Sequence, residues 1–325
     1  MAKYKIVISD YYYPDIHEEL EEFSRLGEDV EVVDCTQIRP GGIKDPCELL
    51  RYAHDCDALI TQFAAPIDAS FMDGLEKCRV IARYAIGLDT IDLAAAKERG
   101  IMVANCTDYC LDEVADSTAA HILNAARRIS VARDQLMNDS FDMNALQPIH
   151  RMAKETICFV GFGNIARNLY RKMKPFFGRI VAVDPYITDK EQFPDVGFLE
   201  LHEALSQADV VTLHLQLTPV TRGIIGEAEF RSMKTGAIFV NTARGGLVDE
   251  EALIRALEDG IISYCGLDVL NTEDYAASPL LHRKEVVLTP HISWCSEEAM
   301  DELQRKTAQN VVETFLHGEP IYRAV

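Results

Sequence analysis

The sequence is poor in basic residues and has no long apolar run. Lysine and arginine together number 32, against 52 aspartates and glutamates, so the net charge is −20. Such an excess of negative charge repels phosphate backbones and anionic lipid surfaces. No apolar stretch is long enough to span a bilayer, and residues 1–5 lead into a predicted strand without the apolar region of a signal peptide. We therefore expect neither a nucleic-acid partner nor a membrane partner.

Cysteine is present, but not in a pattern that indicates disulfides or metal ligands. The chain has nine cysteines, an odd number, and no C-x-x-C pair. In a chain of this size the pattern favours reduced thiols and a cytoplasmic location. Cys106 and Cys110 lie near Asp108 and Asp112, but no histidine or second cysteine pair is close by in the sequence. We therefore expect no metal site.

Length and hydrophobic patterning predict an α/β protein of two domains. A chain of 325 residues, 48% of them apolar, is too long for one ordinary core. In the first hundred residues short apolar runs alternate with helical patterns, which is typical of a parallel, flavodoxin-like sheet. The predicted strands are Tyr4–Ser9, Val30–Asp34, Ala58–Thr61, Val80–Arg83 and Ile101–Ala104, and the predicted helices are Pro14–Leu26, Glu48–His54, Ile67–Lys77 and Leu93–Arg99. A second α/β unit is predicted from residue 105 to residue 295.

Two longer helices are also predicted. Apolar residues recur at helical spacing from Leu111 to Met137, and a helix of this length is expected to cross between domains or to lie in a dimer interface. The polar segment Asn138–Arg151 is expected to be an arm or linker. The last helix is predicted to begin at Ser296 as its N-cap and to end near His317, before Gly318.

A glycine turn in the middle of the chain predicts a dinucleotide site. Thr156–Val160 has the pattern of a buried strand, Gly161-Phe162-Gly163-Asn164-Ile165-Ala166 follows at once, and Arg167–Lys174 is predicted to be a helix. In such a turn Gly161 permits the bend, Gly163 admits a pyrophosphate, and the N–H groups around Asn164 and Ile165 face the phosphates. Alone, the motif could equally be an ordinary strand-to-helix turn.

The next predicted strand strengthens this interpretation. Arg179–Val183 ends in Asp184, which lies 21 residues after Gly163 (184 − 163). A carboxylate at this distance accepts hydrogen bonds from the adenosine ribose hydroxyls and repels a 2′-phosphate. The strand, the turn, the helix and the acid together predict NAD as the cofactor, in preference to NADP.

Three residues that can perform chemistry follow predicted strands in the C-terminal half. Arg244, Glu273 and His291 come at or just after the runs Ala237–Asn241, Ser263–Asp268 and Val286–Thr289. The carboxyl ends of parallel strands meet at one edge, so these residues can converge although 47 positions separate the first from the last (291 − 244). An imidazole oriented by a carboxylate is a general acid/base, and an arginine is a clamp for a carboxylate. The set predicts redox chemistry on a 2-keto or 2-hydroxy acid, although any one of these residues alone could simply be satisfied by local hydrogen bonds.

Longer motifs carry a resemblance to a known family. The segments 81–92 (IARYAIGLDTID) and 241–250 (NTARGGLVDE), together with the glycine turn, resemble the D-isomer-specific 2-hydroxyacid dehydrogenases over nearly the whole chain. Segments 113–118, 121–124 and 291–294 are similar to the C-terminal-binding-protein branch, which contains NAD-dependent dehydrogenases and transcriptional corepressors. Gln216 and Asp274 stand where the family commonly has proline, which puts the local loop geometry in question.

The resemblance implies a domain organisation and further site residues. It implies a Rossmann NAD domain at 105–295, a discontinuous substrate domain at 1–104 and 296–325, and a homodimer. It implies that Asp268 meets the nicotinamide carboxamide, with a turn-capping aspartate as the alternative. The other implied contacts are Thr242, Ala243 and His214 with the cofactor, and Ile86, Gly87, Arg244 and Trp294 with the substrate. For His214 the alternative is a strand-end histidine satisfied by local hydrogen bonds, and for Trp294 it is a tryptophan at a domain interface.

The expected activity is NAD-dependent interconversion of a small 2-keto acid and its D-2-hydroxy acid. The substrate side chain is predicted to be uncharged, because the loop Gln62–Pro66 has no lysine or arginine and Trp294 can form an apolar wall. An NAD-sensing, corepressor-like interaction protein is the alternative from another class. Among enzymes the alternatives are phosphoglycerate dehydrogenase and formate dehydrogenase, of which the latter pairs its histidine with glutamine.

Overall fold

The computed structural model describes residues 3–62, 65–272 and 274–325. The chain forms two compact units: Met1–Tyr109 together with Ser296–Val325, and Cys110–Cys295. The first boundary follows Tyr109, whereas the sequence placed it after residue 104. Backbone hydrogen bonds explain the difference, because the N–H of Asn105 donates to Tyr322 (3.3 Å) and the N–H of Cys106 donates to Ala85 (3.0 Å), both within the first unit.

The elements of the first unit agree closely with the predicted ones. Its strands are β1 (Tyr4–Ile8), β2 (Val30–Asp34), β3 (Ala58–Thr61), β4 (Val80–Arg83) and β5 (Met102–Ala104). Its helices within the N-terminal segment are α1 (His17–Phe23), α2 (Pro46–Ala53), α3 (Ala69–Asp73) and α4 (Leu93–Glu98).

The elements of the second unit follow, with one further helix after it. Its strands are β6 (Thr156–Val160), β7 (Arg179–Val183), β8 (Val196–Phe198), β9 (Val210–Leu213), β10 (Ala237–Asn241), β11 (Ile262–Leu267) and β12 (Val286–Leu288). Its helices are α5 (Leu111–Arg127), α6 (Ile129–Met137), α7 (Asn164–Met173), α8 (Leu201–Gln207), α9 (Glu227–Ser232) and α10 (Glu250–Glu258), and α11 (Glu297–His317) returns to the first unit. Short 3₁₀ turns lie at Ser24–Leu26, Asn144–Leu146, Met152–Lys154, Lys174–Phe176, Lys190–Gln192, Gly245–Leu247 and Tyr275–Ala277.

The sheet of the first unit is parallel throughout its described strands, in the order β2-β1-β3-β4-β5. This is the flavodoxin-like order that the alternating pattern predicted. Every residue of β3 and β4 is buried, because helices cover both faces of a parallel sheet. Within this unit α11 packs beside β1, where the rings of Tyr4 and Phe315 stack with centroids 4.4 Å apart.

The sheet of the second unit is also parallel, in the order β12-β11-β10-β9-β6-β7-β8. The second sheet starts at the inner strand β6, builds outward through β7 and β8, and then crosses back to β9. The strand order therefore reverses between β6 and β9, which is where open α/β sheets bind ligands. Together, the two sheets confirm the predicted fold class of two parallel-sheet α/β domains.

The long helix predicted from Leu111 to Met137 is interrupted. Arg128 adopts a left-handed conformation (φ 57°) that ends α5, and α6 begins immediately after it. The guanidinium lies 3.5 Å from the centre of the Tyr264 ring and donates to the carbonyls of Ala125 and Pro148. These contacts hold an unfavourable backbone angle that helical periodicity cannot reveal.

All nine cysteines lie within the described residues, and none of them forms a disulfide. In ranges 3–62, 65–272 and 274–325, no helix combines the length and the apolar character that crossing a membrane requires. Over the same ranges, no group of three or more histidine, cysteine or acidic side chains has an arrangement that could hold a metal ion.

The N-cap of α11 gives a test of local stability. The Ser296 hydroxyl accepts a hydrogen bond from the N–H of Ala299 at 2.9 Å. Ser296→Ala should lower the free energy of unfolding by about 1 kcal/mol, because one N–H of the first turn loses its partner. Urea unfolding followed by circular dichroism measures the change. The exposed Ser206 inside α8 is the matched control, since Ser206→Ala removes no cap and improves helix propensity. Equal destabilisation by both changes would contradict the capping role.

Candidate functional site

The glycine turn lies at the carboxyl end of β6, as its sequence predicts. Gly161 has φ 91°, and a Cβ there would lie 2.5 Å from the carbonyl oxygen of His214. Gly163 is the N-cap of α7, and apart from its own chain neighbours no atom of the described residues lies within 4 Å of the position its Cβ would take. The helix thus starts at Asn164, three residues earlier than predicted (167 − 164). The close contact with the His214 carbonyl explains why position 161 is glycine. Position 163, in contrast, faces open space that a pyrophosphate can use.

Asp184 follows β7 directly and faces the glycine turn. One carboxylate oxygen accepts the N–H of Phe162 at 3.0 Å, and the other accepts the N–H of Tyr186 at 2.9 Å. Each oxygen keeps a second lone pair, so the half-buried carboxylate can still accept from ribose hydroxyls. Asp184 therefore fixes the glycine turn, and this role is compatible with its predicted contact with the ribose.

His214 directly follows β9, beside this turn. Its N–H donates to the carbonyl of Val160 (2.8 Å), and its ring stacks on Phe159 and contacts the hydroxyl of Thr212 at 3.1 Å. Burial lowers the pKa of His214 well below its ordinary value, so the ring is neutral at physiological pH. A neutral His214 ring adds no positive charge to this end of the sheet, where the cofactor is predicted to bind.

The segment after β10 carries Arg244. The Asn241 side chain holds its shape by accepting from the N–H of Ala243 (3.0 Å) and donating to the carbonyl of Arg244 (2.9 Å). Gly245 packs directly on the backbone carbonyl of Leu270, so any side chain there would collide. The half-buried Arg244 guanidinium donates to the carbonyl of Ala243 at 2.8 Å, and its planar fork has the shape that the predicted carboxylate clamp requires.

The turn after β12 carries His291 in a strained conformation. His291 has φ 53°, which few non-glycine residues adopt, and its N–H donates to the carbonyl of Asp268 at 2.8 Å. The fully buried Asp268 carboxylate accepts from the N–H of Ile292 (3.0 Å), the N–H of Ser293 (2.9 Å) and the hydroxyl of Thr289 (2.5 Å). In this structure Asp268 thus caps the His291 turn, which was the alternative interpretation. Its contact with the nicotinamide carboxamide stays a prediction.

Three other predicted residues differ in how far the structure describes them. Trp294 donates its indole N–H to the carbonyl of His291 at 2.9 Å, which ties the single tryptophan to the same turn. Ile86 and Gly87 follow β4 in the first unit, where the Ile86 carbonyl accepts from the Asn105 amide at 2.6 Å. Glu273, the predicted partner of His291, lies outside the described residues.

The strand order places the predicted residues along one edge of the seven described strands. From β7 to β12 the edge carries Asp184, the glycine turn, His214, Thr242 with Arg244, Asp268, and His291. Neighbouring strands lie about 4.8 Å apart, so the ends of β10 and β12 are roughly 10 Å from each other. An acid for the ribose, a phosphate turn, and then a cation and an imidazole follow each other in the order of the parts of an NAD molecule. The residues present therefore fit this cofactor.

Polar residues of α5 also reach this edge, and site prediction missed them. Ser117, Thr118 and His121 form hydrogen bonds with Ser293, Thr242 and Thr289. In the sequence, segments 113–118 and 121–124 indicated only a resemblance to the C-terminal-binding-protein branch. Their partners lie at least 124 positions further along the chain (242 − 118), so the sequence around α5 gives no local clue to these contacts.

The fold and the site define a class: an α/β protein with a dinucleotide-binding domain. Residues 119–293 match the model of the NAD binding domain of the D-isomer specific 2-hydroxyacid dehydrogenases. The chain belongs to this family, as its motifs predicted, and the match supports NAD as the cofactor of the second unit.

Relatives and solved structures agree with this assignment. The chain is 36% identical over 277 residues to a glyoxylate reductase of Korarchaeum cryptofilum, which covers 83% of each protein. It is 35% identical over 318 residues to a D-3-phosphoglycerate dehydrogenase of Methanocaldococcus jannaschii, which covers 97% of this chain but 58% of that protein. The chain therefore spans little more than half of the latter's length. The crystal structure of a glyoxylate reductase from Paecilomyes thermophila superposes with a TM-score of 0.88 at 26% identity, covering 100% and 99% of the two chains.

The two glycines of the turn give a matched pair of variants. Gly161→Ala should destabilise the fold by about 1–3 kcal/mol, because its Cβ would meet the His214 carbonyl at a positive φ. Gly163→Ala should keep the stability and weaken NADH binding about tenfold or more, since its methyl group enters only the space open to ligand. Thermal unfolding without cofactor and fluorescence titration with NADH separate the two effects. Unchanged NADH affinity of Gly163→Ala would remove the pyrophosphate from this turn.

Proposed function

We propose that the protein interconverts a small 2-keto acid and its D-2-hydroxy acid by hydride transfer with NAD. The observation that carries the proposal is the edge of the second sheet. There Arg244 and His291 follow strands β10 and β12 of the same dinucleotide-binding domain. A domain used only to sense NAD has no chemical need for a carboxylate clamp and an acid/base at this edge.

Each side chain has a defined role in the proposed reaction. NADH, when bound, supplies the hydride for the carbonyl carbon. His291 donates a proton to the keto oxygen during reduction and takes the hydroxyl proton during oxidation. Arg244 holds the substrate carboxylate with its planar guanidinium and polarises the carbonyl. Glu273 stays the predicted partner of His291. Its carboxylate would orient the imidazole and stabilise the charged form of the ring.

An uncharged substrate side chain is the finer part of the proposal. Trp294 is anchored to the His291 carbonyl, so its indole can border the reacting carbon as an apolar wall. The loop Gln62–Pro66 has no cation for a phosphate, although its residues 63 and 64 lie outside the described residues. The similarity to a phosphoglycerate dehydrogenase does not outweigh that to the glyoxylate reductase, which covers more of its relative's length.

A homodimer in the cytoplasm completes the proposal. Apolar side chains stand exposed in and after α6, which supports burial of this region against a second copy. They are Ile129, Leu136, Met137, Phe141 and Met143. The cytoplasm is proposed from the cysteine usage of the sequence.

The first experiment is NADH oxidation with a panel of 2-keto acids. The panel runs from glyoxylate, pyruvate and hydroxypyruvate through 2-ketobutyrate and branched and phenyl keto acids to 3-phosphohydroxypyruvate. We expect the highest kcat/KM with an uncharged, partly apolar member. His291→Ala should bind NADH normally and lose turnover by about two to four orders of magnitude. Turnover of the phosphorylated member alone would contradict the substrate class, and NADH binding without any turnover would favour a sensing protein.

Cofactor choice gives a separate test at Asp184. Asp184→Ser should relax the discrimination against NADPH, because the carboxylate that repels a 2′-phosphate is gone. The measurement compares kcat/KM for NADH and NADPH in wild type and variant. Glu191→Ala serves as the control, since Glu191 is an exposed acid soon after β7. An unchanged preference in Asp184→Ser, or an equal change in the control, would show that Asp184 does not set it.

A further inference from the structure

Helix α5 presents three polar side chains to the site edge of the second unit. We call Ser117, Thr118 and His121 the α5 seam. Spacings of three and four residues place Ser117 and Thr118 on the same side of the helix as His121. Thr118 is fully buried and His121 is 6% exposed, although a polar group inside a fold is costly unless it is hydrogen-bonded. Each seam residue forms a hydrogen bond with a loop that carries Arg244 or His291.

Thr118 contacts the loop before Arg244. Its hydroxyl donates to the carbonyl of Val114 at 2.6 Å and lies 2.7 Å from the hydroxyl of Thr242. A hydroxyl has one proton, so Thr242 must donate to Thr118. This directional bond joins α5 to a point two residues before Arg244.

His121 contacts the turn that carries His291. The Thr289 hydroxyl donates to the Asp268 carboxylate, so its oxygen is left to accept the proton of His121 Nε2, at 3.2 Å. The imidazole is therefore the Nε2–H tautomer, and burial lowers the pKa of His121, which keeps the ring neutral. Gly266 makes room for this ring, because a Cβ there would lie 2.8 Å from the His121 Cβ.

Ser117 completes the seam on the other side of His291. Its hydroxyl lies 2.8 Å from the hydroxyl of Ser293. Thr289 and Ser293 are each two residues from His291, so the seam holds the turn on both flanks. Hydrogen bonds from a helix, with defined directions, can maintain the left-handed angle of His291, which apolar packing alone would not specify.

We infer that the α5 seam is a positioning element that sets the Arg244 loop and the His291 turn in register for catalysis. Its residues act through their hydrogen bonds with Thr242, Thr289 and Ser293. The catalytic part of this inference rests on the proposed function. The structural part, a fixed His291 turn, does not.

The test uses Thr118→Val and His121→Leu, with Thr314→Val as the matched control. The buried Thr314 in α11 donates to the carbonyl four residues earlier (Asn310, 2.7 Å), just as Thr118 does, but it belongs to the first unit. Thr118→Val and Thr314→Val therefore lose the same helical bond, and only Thr118→Val also loses a link to the site. Thr118→Ser, which keeps the hydroxyl, is the rescue variant.

Trp294 supplies a readout that does not need activity. It is the single tryptophan and is bonded to the His291 carbonyl, so acrylamide quenching of its fluorescence reports on the turn. We expect increased quenching in Thr118→Val and His121→Leu, and wild-type quenching in Thr314→Val and Thr118→Ser. With the best 2-keto acid, kcat should fall about tenfold in the two seam variants while the Kd for NADH stays within a factor of about two.

The outcomes separate the seam from the proposed function. Quenching in both seam variants equal to that of Thr314→Val would overturn the proposal. Increased quenching with unchanged kcat would overturn the role in catalysis. If the wild-type protein turns over no 2-keto acid, the proposed function fails, whereas the quenching comparison still decides whether the seam fixes the turn.

Discussion

The parallel pairing of β6 with β9 is the constraint on which the rest of the second unit depends. It sets the N–H of His214 on the carbonyl of Val160 and brings the His214 carbonyl against Gly161. That close approach leaves no room for a Cβ, so the turn into α7 must contain glycine. Because the strand order reverses at this pair, the helices on either side diverge and leave a crevice for the cofactor.

The same parallel arrangement gathers groups that are distant in sequence at one edge. Strands β10, β11 and β12 end side by side, and the loops that follow them are held by buried polar contacts rather than by regular structure. Asp268 caps the His291 turn, Asn241 shapes the Arg244 loop, and Gly245 lets that loop pack on Leu270. The described hydrogen bonds that shape these loops join residues of the second unit, which suits residues that must keep a fixed geometry.

Family membership and chemistry agree in this protein, although they rest on different observations. The family match covers the dinucleotide domain, while the chemistry is argued from Arg244 and His291 on its edge. A strained φ at His291, a buried carboxylate beneath the turn and a helix bonded to both of its flanks together describe a His291 backbone held in one conformation. Such restraint is what an acid/base needs and what a binding module does not require.

The sequence by itself determined the fold class and the predicted strands, because these follow from local pattern. The strands Val30–Asp34, Thr156–Val160 and Ala237–Asn241 have their predicted bounds, and Ser296 and Gly318 delimit α11 as expected. Strand-end motifs also sufficed to predict that Gly161, Asp184, Arg244 and His291 lie along one edge of the sheet, since parallel strands must end at a common edge. Only the tertiary structure decided the break at Arg128, the capping role of Asp268 and the bonds of Ser117, Thr118 and His121. Each of these depends on partners far away in the chain, such as Tyr264, Ile292 and Thr289, and a hydrogen bond between distant residues leaves no periodic trace in a sequence.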